Sequence, residues 1–301
     1  MLQKLVDQIS TIVIGKRPQV ELSVICLLAN GHLLIEDIPG VGKTTLSQAL
    51  ARSLGLSFSR VQFTADLLPS DLLGVSVYER EQQGFVFHPG PVFAQVLLAD
   101  EINRAGPRTQ SALLEAMEER QVTIDGQTRA LPDPFFVIAT QNPIEQLGTH
   151  PLPESQLDRF ALRISLGYPD AQAERALLKG QDKRQELQSI KPLMTLEEWR
   201  GWQARVDAIH VAEALLDYLQ ALITATRSPR WCLQGLSPRA ALSLLRLARA
   251  RALLQGRAHV SPEDLQALWV PAAAHRLVVA SAGTGDAGQQ AQALLDATPV
   301  P

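Results

Sequence analysis

The chain has 301 residues, 46% of them hydrophobic, enough to bury a sizeable core and to form about two domains. Twenty-eight Lys and Arg against 31 Asp and Glu leave a net charge of −3, so no overall positive field draws in phosphate backbones or anionic lipid, and neither nucleic-acid binding nor membrane insertion is expected. The two cysteines, Cys26 and Cys232, lie far apart and fit reduced thiols rather than a disulfide framework, and no apolar run is long enough for a signal peptide or a membrane span, so a soluble cytoplasmic protein is the expectation.

In chain order, short apolar runs at "HLLIED", "FSRVQF", "QVLLADE", "FFVIATQ" and "ALRISL" alternate with segments of helical spacing such as "TTLSQALARSLG" and "TQSALLEAMEER". Buried strands alternating with helices predict an α/β domain over residues 1–167, its mostly parallel sheet sandwiched by helices. Two insertions break the rhythm. "VSVYEREQQGFVF" and "QVTIDGQTRAL" place turn signals, Gln83-Gly84 and Asp125-Gly126, between β-prone residues, and both read as hairpins.

After "GYPDAQ" the pattern becomes almost wholly helical, which predicts a small all-helical domain over residues 168–282. Ser237-Pro238 and Ser261-Pro262 suit helix starts, with Ser as N-cap and Pro at the first helical position. Residues 283–301, rich in Gly, Ala and Gln, are expected to form a flexible tail. "GTGDAG" at 283–288 matches a dinucleotide-binding spacing but has no strand before it and no acid at the required distance after it, and is set aside.

Chemistry concentrates at the strand ends. Pro39, Gly40, Val41, Gly42, Lys43, Thr44 and Thr45 follow the first strand and open a helix, the pattern of a phosphate-binding loop. Glycines let the main chain approach an anion, the helix N-terminus favours negative charge, Lys43 suits the β and γ phosphates, and the Thr44 hydroxyl suits Mg²⁺. Asp37 replaces the first glycine of the usual pattern, and a left-handed backbone is more tolerable for Asp than for most residues.

A second strand ends in Asp100 and Glu101. One acid suits the Mg²⁺ shell, and the next is the candidate general base for a water aimed at the γ-phosphate. A third strand ends at Asn142, whose amide suits that water or the γ-phosphate. Arg159 precedes the last strand and Arg239 starts a helix of the second domain; a guanidinium neutralises charge on a transferring phosphoryl group. The histidines form no metal-ligand pattern, so the cofactors implied are ATP and Mg²⁺ alone.

In this order, "PGVGKTT", "LLADEINRA", "ATQNP", "LPESQLDRF" and "LSPRAAL" resemble the Walker A, Walker B, sensor 1, arginine-finger and sensor 2 elements of an AAA+ ATPase, and more narrowly the MoxR family. Asp37 fits, because "EDxPGVGKT" is a usual form of the loop in that family. The resemblance implies that Asn142 is sensor 1, that Arg239 reaches the nucleotide of its own subunit from the helical lid, and that Arg159, rather than Arg163, enters a neighbour's site. It implies that Ile14 and Gly15 pack near the adenine and that Gln62 restrains Glu101. It further implies a homo-oligomeric ring, a hexamer, with the two hairpins facing a central pore. Phe85 and Phe87 are candidates to press on a protein client, although a hairpin's apolar face is more often packed against its own domain. Chaperone-like maturation of client complexes, often with a von Willebrand factor A domain partner, is the implied role. The alternatives are a DNA-remodelling or transcription-activating AAA+ ATPase, which the absence of a basic excess disfavours, and a P-loop small-molecule phosphotransferase, for which no acceptor pocket is legible.

Overall fold

The computed structural model describes residues 1–81, 83–143, 148–178, 183–279 and 286–300. Helices α1 (Leu2–Ile12) and α2 (Arg17–Leu28) lead into β1 (Leu33–Glu36), α3 (Lys43–Ser53), β2 (Phe58–Gln62) and the short α4 (Pro69–Leu73). A hairpin of β3 (Gly74–Glu79) and β4 (Gly84–Pro89) precedes β5 (Val96–Asp100), α5 (Pro107–Glu119) and a second hairpin of β6 (Gln121–Ile124) and β7 (Gln127–Ala130). The core closes with β8 (Phe136–Gln141), α6 (Glu154–Leu157) and β9 (Leu162–Ile164).

Five strands form one parallel sheet in the order β2-β5-β8-β1-β9. The central strands are apolar on both faces, and the alternation of side chains along a strand divides them between two cores. Leu33, Ile35, Val96, Leu98, Phe136 and Ile138 pack on one side with α1, α2 and α3; Leu34, Leu97, Ala99, Val137 and Ala139 pack on the other with α5. Because every strand runs the same way, all the carboxyl ends share one edge of the sheet and all the amino ends the opposite edge.

Both hairpins form where their turn residues place them. Asp125 and Gly126 each adopt positive φ, 52° and 73°, as a two-residue type I′ turn requires. The first hairpin splits the two expected phenylalanines. Phe85 is 76% exposed. Phe87 packs edge-on against Phe93 at 5.6 Å, with the Arg129 guanidinium 4.0 Å over its ring.

The second unit comprises α7 (Ala171–Leu178), α8 (Lys183–Ser189), α9 (Leu196–Asp207), α10 (Glu213–Thr226), α11 (Pro238–Leu254), α12 (Pro262–Ala273) and α13 (Ala287–Ala297). Ser237 caps α11 by accepting from Ala240 N–H, and Ser261 forms a capping box with Asp264. Two sequence expectations need correction. The unit is not purely helical, since β10 (Cys232–Gln234) and β11 (Val278–Val279) pair antiparallel. Nor are residues 287–297 a loose tail: Ala291, Leu294 and Leu295 of α13 are buried, and Trp269 Nε1 donates to Ala291 O at 2.8 Å. Small alanines admit the close helix approach that a Gly/Ala/Gln-rich composition had suggested was disorder. Residues 283–285 of "GTGDAG" lie outside the described residues.

The lid is not hung on a free hinge. Its α11 packs on α2 and its α12 on β9, within the same continuous apolar cluster that covers one face of the sheet. Buried His275 lies with Nε2 2.9 Å from Phe160 O, and buried Arg276 forms an ion pair with Asp158 at 2.9 Å. Both thiols are free and buried, and among the described residues no helix is long and apolar enough to cross a membrane.

Candidate active site

The phosphate loop leaves β1 at the carboxyl edge. Gly40 and Gly42 adopt φ of 85° and 97°, and a Cβ added at either meets no atom within 4 Å, so the glycines serve the backbone turn and leave its concave side open. Gly42 is the N-cap of α3, which aims a helix N-terminus into that space. Lys43 is buried, its Nζ donating to Asp37 O at 2.8 Å. Burial pushes its ammonium below the usual lysine range, an effect opposed by the carboxylates of Asp100, Asp37 and Glu101.

Asp37 does not use the left-handed backbone that its place in the loop suggested; it is absent from the positive-φ residues. Its carboxylate is the reason for its presence. Oδ2 accepts from Leu166 N at 2.6 Å, Gly167 N at 2.7 Å and Ser165 Oγ at 3.1 Å, while Oδ1 accepts from Ile38 N at 2.9 Å. A glycine could turn the chain here but could not tie the phosphate loop to the segment that leads from β9 into the lid.

Asp100 and Glu101 emerge beside this loop. Thr140 on the neighbouring β8 joins them: its Oγ1 donates to Asp100 Oδ1 at 2.6 Å and accepts from Glu101 N at 2.9 Å. Asp100 Oδ2 also takes Arg60, with Nη2 at 2.7 Å. Glu101 lies at φ 57°, an uncommon conformation for a residue with a side chain, and one often found at functional sites. Its Oε2 receives Gln62 Nε2 at 2.9 Å and Arg104 Nε at 2.8 Å. Gln62 pairs with Asp100 across the β2-β5 ladder, which fixes the register of its restraint on Glu101.

Asn142 is buried one residue beyond β8, next to Gln141, which donates to Glu36 at 2.7 Å. Arg163 is tied to the same Glu36 at 2.8 Å. Ile14 lines a cavity of about 220 Å³ together with Gly40, Val41, Gly42 and Thr45. Gly15 adjoins it at φ 72°, where a Cβ would meet Ala173 at 3.0 Å. The N-terminal segment and the loop are thus brought together, with Thr44 on the first turn of α3.

Arg159 and Arg239 lie elsewhere. They line a pocket of about 330 Å³ with Gly31, His32 and Ala161, residues that stand at the amino ends of β1 and β9. One carboxylate holds both: Glu118 Oε2 takes Arg159 Nη2 at 2.9 Å, and its Oε1 takes Arg239 Nη2. Arg239 thus lies on Glu118 at the amino edge and not beside the phosphate loop of its own chain, where the resemblance had put it. The docking of α11 and α12 on α2 and β9 places the start of α11 at the amino edge, whereas the phosphate loop leaves the opposite end of β1, a strand of four residues and roughly 13 Å.

Thr140, Arg60, Arg104 and Glu118 were missed as site residues. Thr140, Arg104 and Glu118 sit inside the quoted runs "ATQNP", "LLADEINRA" and "TQSALLEAMEER", but only the strand register and the span of α5 show what each one touches.

The family described as "ATPase family associated with various cellular activities (AAA)" matches residues 32–162, and that described as "AAA lid domain" matches residues 225–297. The chain is 45% identical to YeaC of Bacillus subtilis, over 93% of this chain and 87% of that protein. It is 40% identical to chaperone MoxR1 of Mycobacterium tuberculosis, over 92% and 76% respectively, and 33% identical to MoxR of Paracoccus denitrificans, over 96% and 93%. A crystal structure from Cytophaga hutchinsonii, provisionally described as an ATPase, superposes with a TM-score of 0.91 at 35% identity, covering 99% of this chain and 94% of that one. Identity at this level, carried through core and lid alike, makes the chain a member of the MoxR family of AAA+ ATPases.

Proposed function

We propose that the protein hydrolyses ATP at the seams of a ring of six identical subunits, in the cytoplasm, and uses the cycle for chaperone-like remodelling of a client protein complex, with a von Willebrand factor A domain protein as partner. One observation carries the reading: the cradle and acids occupy the carboxyl edge of the sheet, while the paired arginines occupy the amino edge of the same chain. The two arginines that the sequence motifs single out thus lie at the edge opposite the cradle, while Arg60, Arg104 and Arg163 at the carboxyl edge are ion-paired with Asp100, Glu101 and Glu36. A head-to-tail ring joins the amino edge of one subunit to the carboxyl edge of the next and completes every site.

In this mechanism the loop amides and Lys43 hold the phosphates, and Asn142 with Glu101 orients the attacking water. Glu101 accepts the water's proton, and Arg159 and Arg239 of the adjacent subunit neutralise charge on the transferring group. The donor set fits a hard cation: the Thr44 hydroxyl and the Asp100 carboxylate, which Thr140 and Arg60 hold in place, would hold it. Mg²⁺ bound there would supply neutralisation of phosphate charge.

Val75, Val77, Tyr78 and Phe85 leave an exposed apolar surface on the first hairpin, which supports client contact at the pore, as does the name of the mycobacterial relative. The test is turnover per subunit against protein concentration. It should rise with assembly in the wild type, and Arg159→Ala should abolish it. Turnover independent of concentration, and untouched by Arg159→Ala, would refute the shared site.

A further inference from the structure

Glu118 is the feature that joins the two trans-acting arginines. Arg159 comes from the turn after α6, and Arg239 from the first turn of α11, so they belong to different structural units and chain connectivity does not set their spacing. Two adjacent guanidiniums repel one another. The Glu118 carboxylate lies between them, one oxygen to each. It engages only an Nη2 on each side of the fork, while each guanidinium carries five N–H donors. Arg159 Nε is buried and makes no hydrogen bond among the described residues. Donors therefore remain for a second anion.

The elements that carry this pair are tied together by side-chain contacts. Asp158, next to Arg159, accepts Ser237 Oγ at 2.8 Å and pairs with buried Arg276 at 2.9 Å, fixing the turn to the cap of α11. Arg120, which ends α5 at φ 55°, donates to Asn30 O at 2.9 Å and anchors the helix at the amino edge. At the other end of α5, Gln110 Nε2 donates to Ile102 O at 3.1 Å, one residue beyond Glu101. The 13 residues of α5 thus run for about 20 Å between the acid half of one site and the arginine half of another.

We infer that Glu118 is a positioning residue for the reaction: its carboxylate holds Arg159 and Arg239 as a preformed fork whose remaining donors receive the terminal phosphate bound by the adjacent subunit. This rests on the shared-site reading above. Glu118→Gln keeps the size and removes the charge; Glu118→Ala removes both. A displacement of about 1 Å in a positioned group costs up to ~100-fold in rate, so kcat is expected to fall ~10-fold for Glu118→Gln and ~100-fold for Glu118→Ala, with KM for ATP within ~2-fold of wild type.

Binding of a fluorescent ADP at wild-type affinity serves as the check on folding, and the near-isosteric Glu118→Gln keeps the test decisive if the alanine variant does not fold. A lower melting temperature with unchanged kcat would make the contact merely structural, and a raised kcat would make it an inhibitory latch; either overturns the inference. Arg159→Ala is measured in parallel. If it is inactive while both Glu118 variants turn over normally, only the Glu118 inference fails. If it keeps full turnover, the shared site and the inference fall together.

Discussion

Gln62 and Glu101 are joined by a 2.9 Å hydrogen bond from Nε2 to Oε2, at the carboxyl edge where β2 and β5 end side by side. Arg104 Nε meets the same oxygen at 2.8 Å, so one carboxylate oxygen of Glu101 is engaged twice. We read the two donors as holding this acid in reserve. Removing one donor should release it in part. A net hydrogen bond contributes about 1 kcal/mol, so Gln62→Ala is expected to raise ATP turnover in the absence of client by ~5-fold, measured as phosphate release. A fall in turnover would instead make Gln62 a residue that orients Glu101 for catalysis.

Asp37→Gly would restore the more common glycine of the loop and should nevertheless harm the protein. The substitution strips the acceptor from Leu166 N, Gly167 N and Ser165 Oγ. Of these donors only Leu166 N lies in a buried hydrogen bond, and a buried donor left unsatisfied costs about 1–3 kcal/mol, so a loss of about 1–3 kcal/mol in unfolding free energy is expected from denaturant titration. A variant as stable as wild type would show that the φ freedom of glycine matters more here than the carboxylate.

Two buried imidazoles make stability depend on pH. Burial, reinforced by the charge of Arg120, holds His32 down to about 3, while Val137 N donates to its Nδ1 at 3.0 Å. Burial and Arg276 likewise hold His275 well below the ordinary value. Above pH ~6.5 both rings are neutral in folded and unfolded chains, and their contribution is fully present. As pH falls below that, the unfolded chain takes up protons that the folded one cannot. Stability is then lost at ~1.4 kcal/mol per pH unit for each ring, and for His32 the loss continues down to its folded value. Unfolding measured between pH 6.5 and 5.5 should show this decline, with the slope roughly halved in His32→Gln.

Arg239→Ala separates the two possible placements of this arginine. Its partner is Glu118 at the amino edge, away from the loop of its own chain. Nucleotide affinity of the dilute, unassembled variant should therefore equal that of wild type, while turnover at assembling concentrations falls. A ~10-fold loss of affinity in the dilute state would place Arg239 at its own subunit's nucleotide.

Much of this was legible in the sequence because it is local. Apolar runs ending in Asp37, Asp100 and Asn142 placed the strand ends, Asp125-Gly126 placed a turn, and Ser237 placed a cap; each depends on a few neighbouring residues. What depends on distant packing was not legible. Whether Arg239 faces the phosphate loop or the opposite edge is decided by how α11 and α12 dock on α2 and β9. The roles of Arg60, Arg104, Thr140 and Glu118 depend on strand register and on where a 13-residue helix ends. The last helix was hidden because alanines and glutamines carry little apolar contrast, although Trp269 and three buried side chains hold it in place.

The most direct test mixes two disabled subunits. Glu101→Gln lacks the water-activating acid but has intact arginines, and Arg159→Ala has an intact cradle but lends no cation. Each alone should turn over ATP at ~1% of wild type or less, and an equimolar mixture allowed to exchange subunits should recover a substantial fraction of wild-type activity, because some seams then join a whole acid half to a whole arginine half. A mixture no more active than its components, in rings shown to contain both subunits, would contradict a site built from two chains.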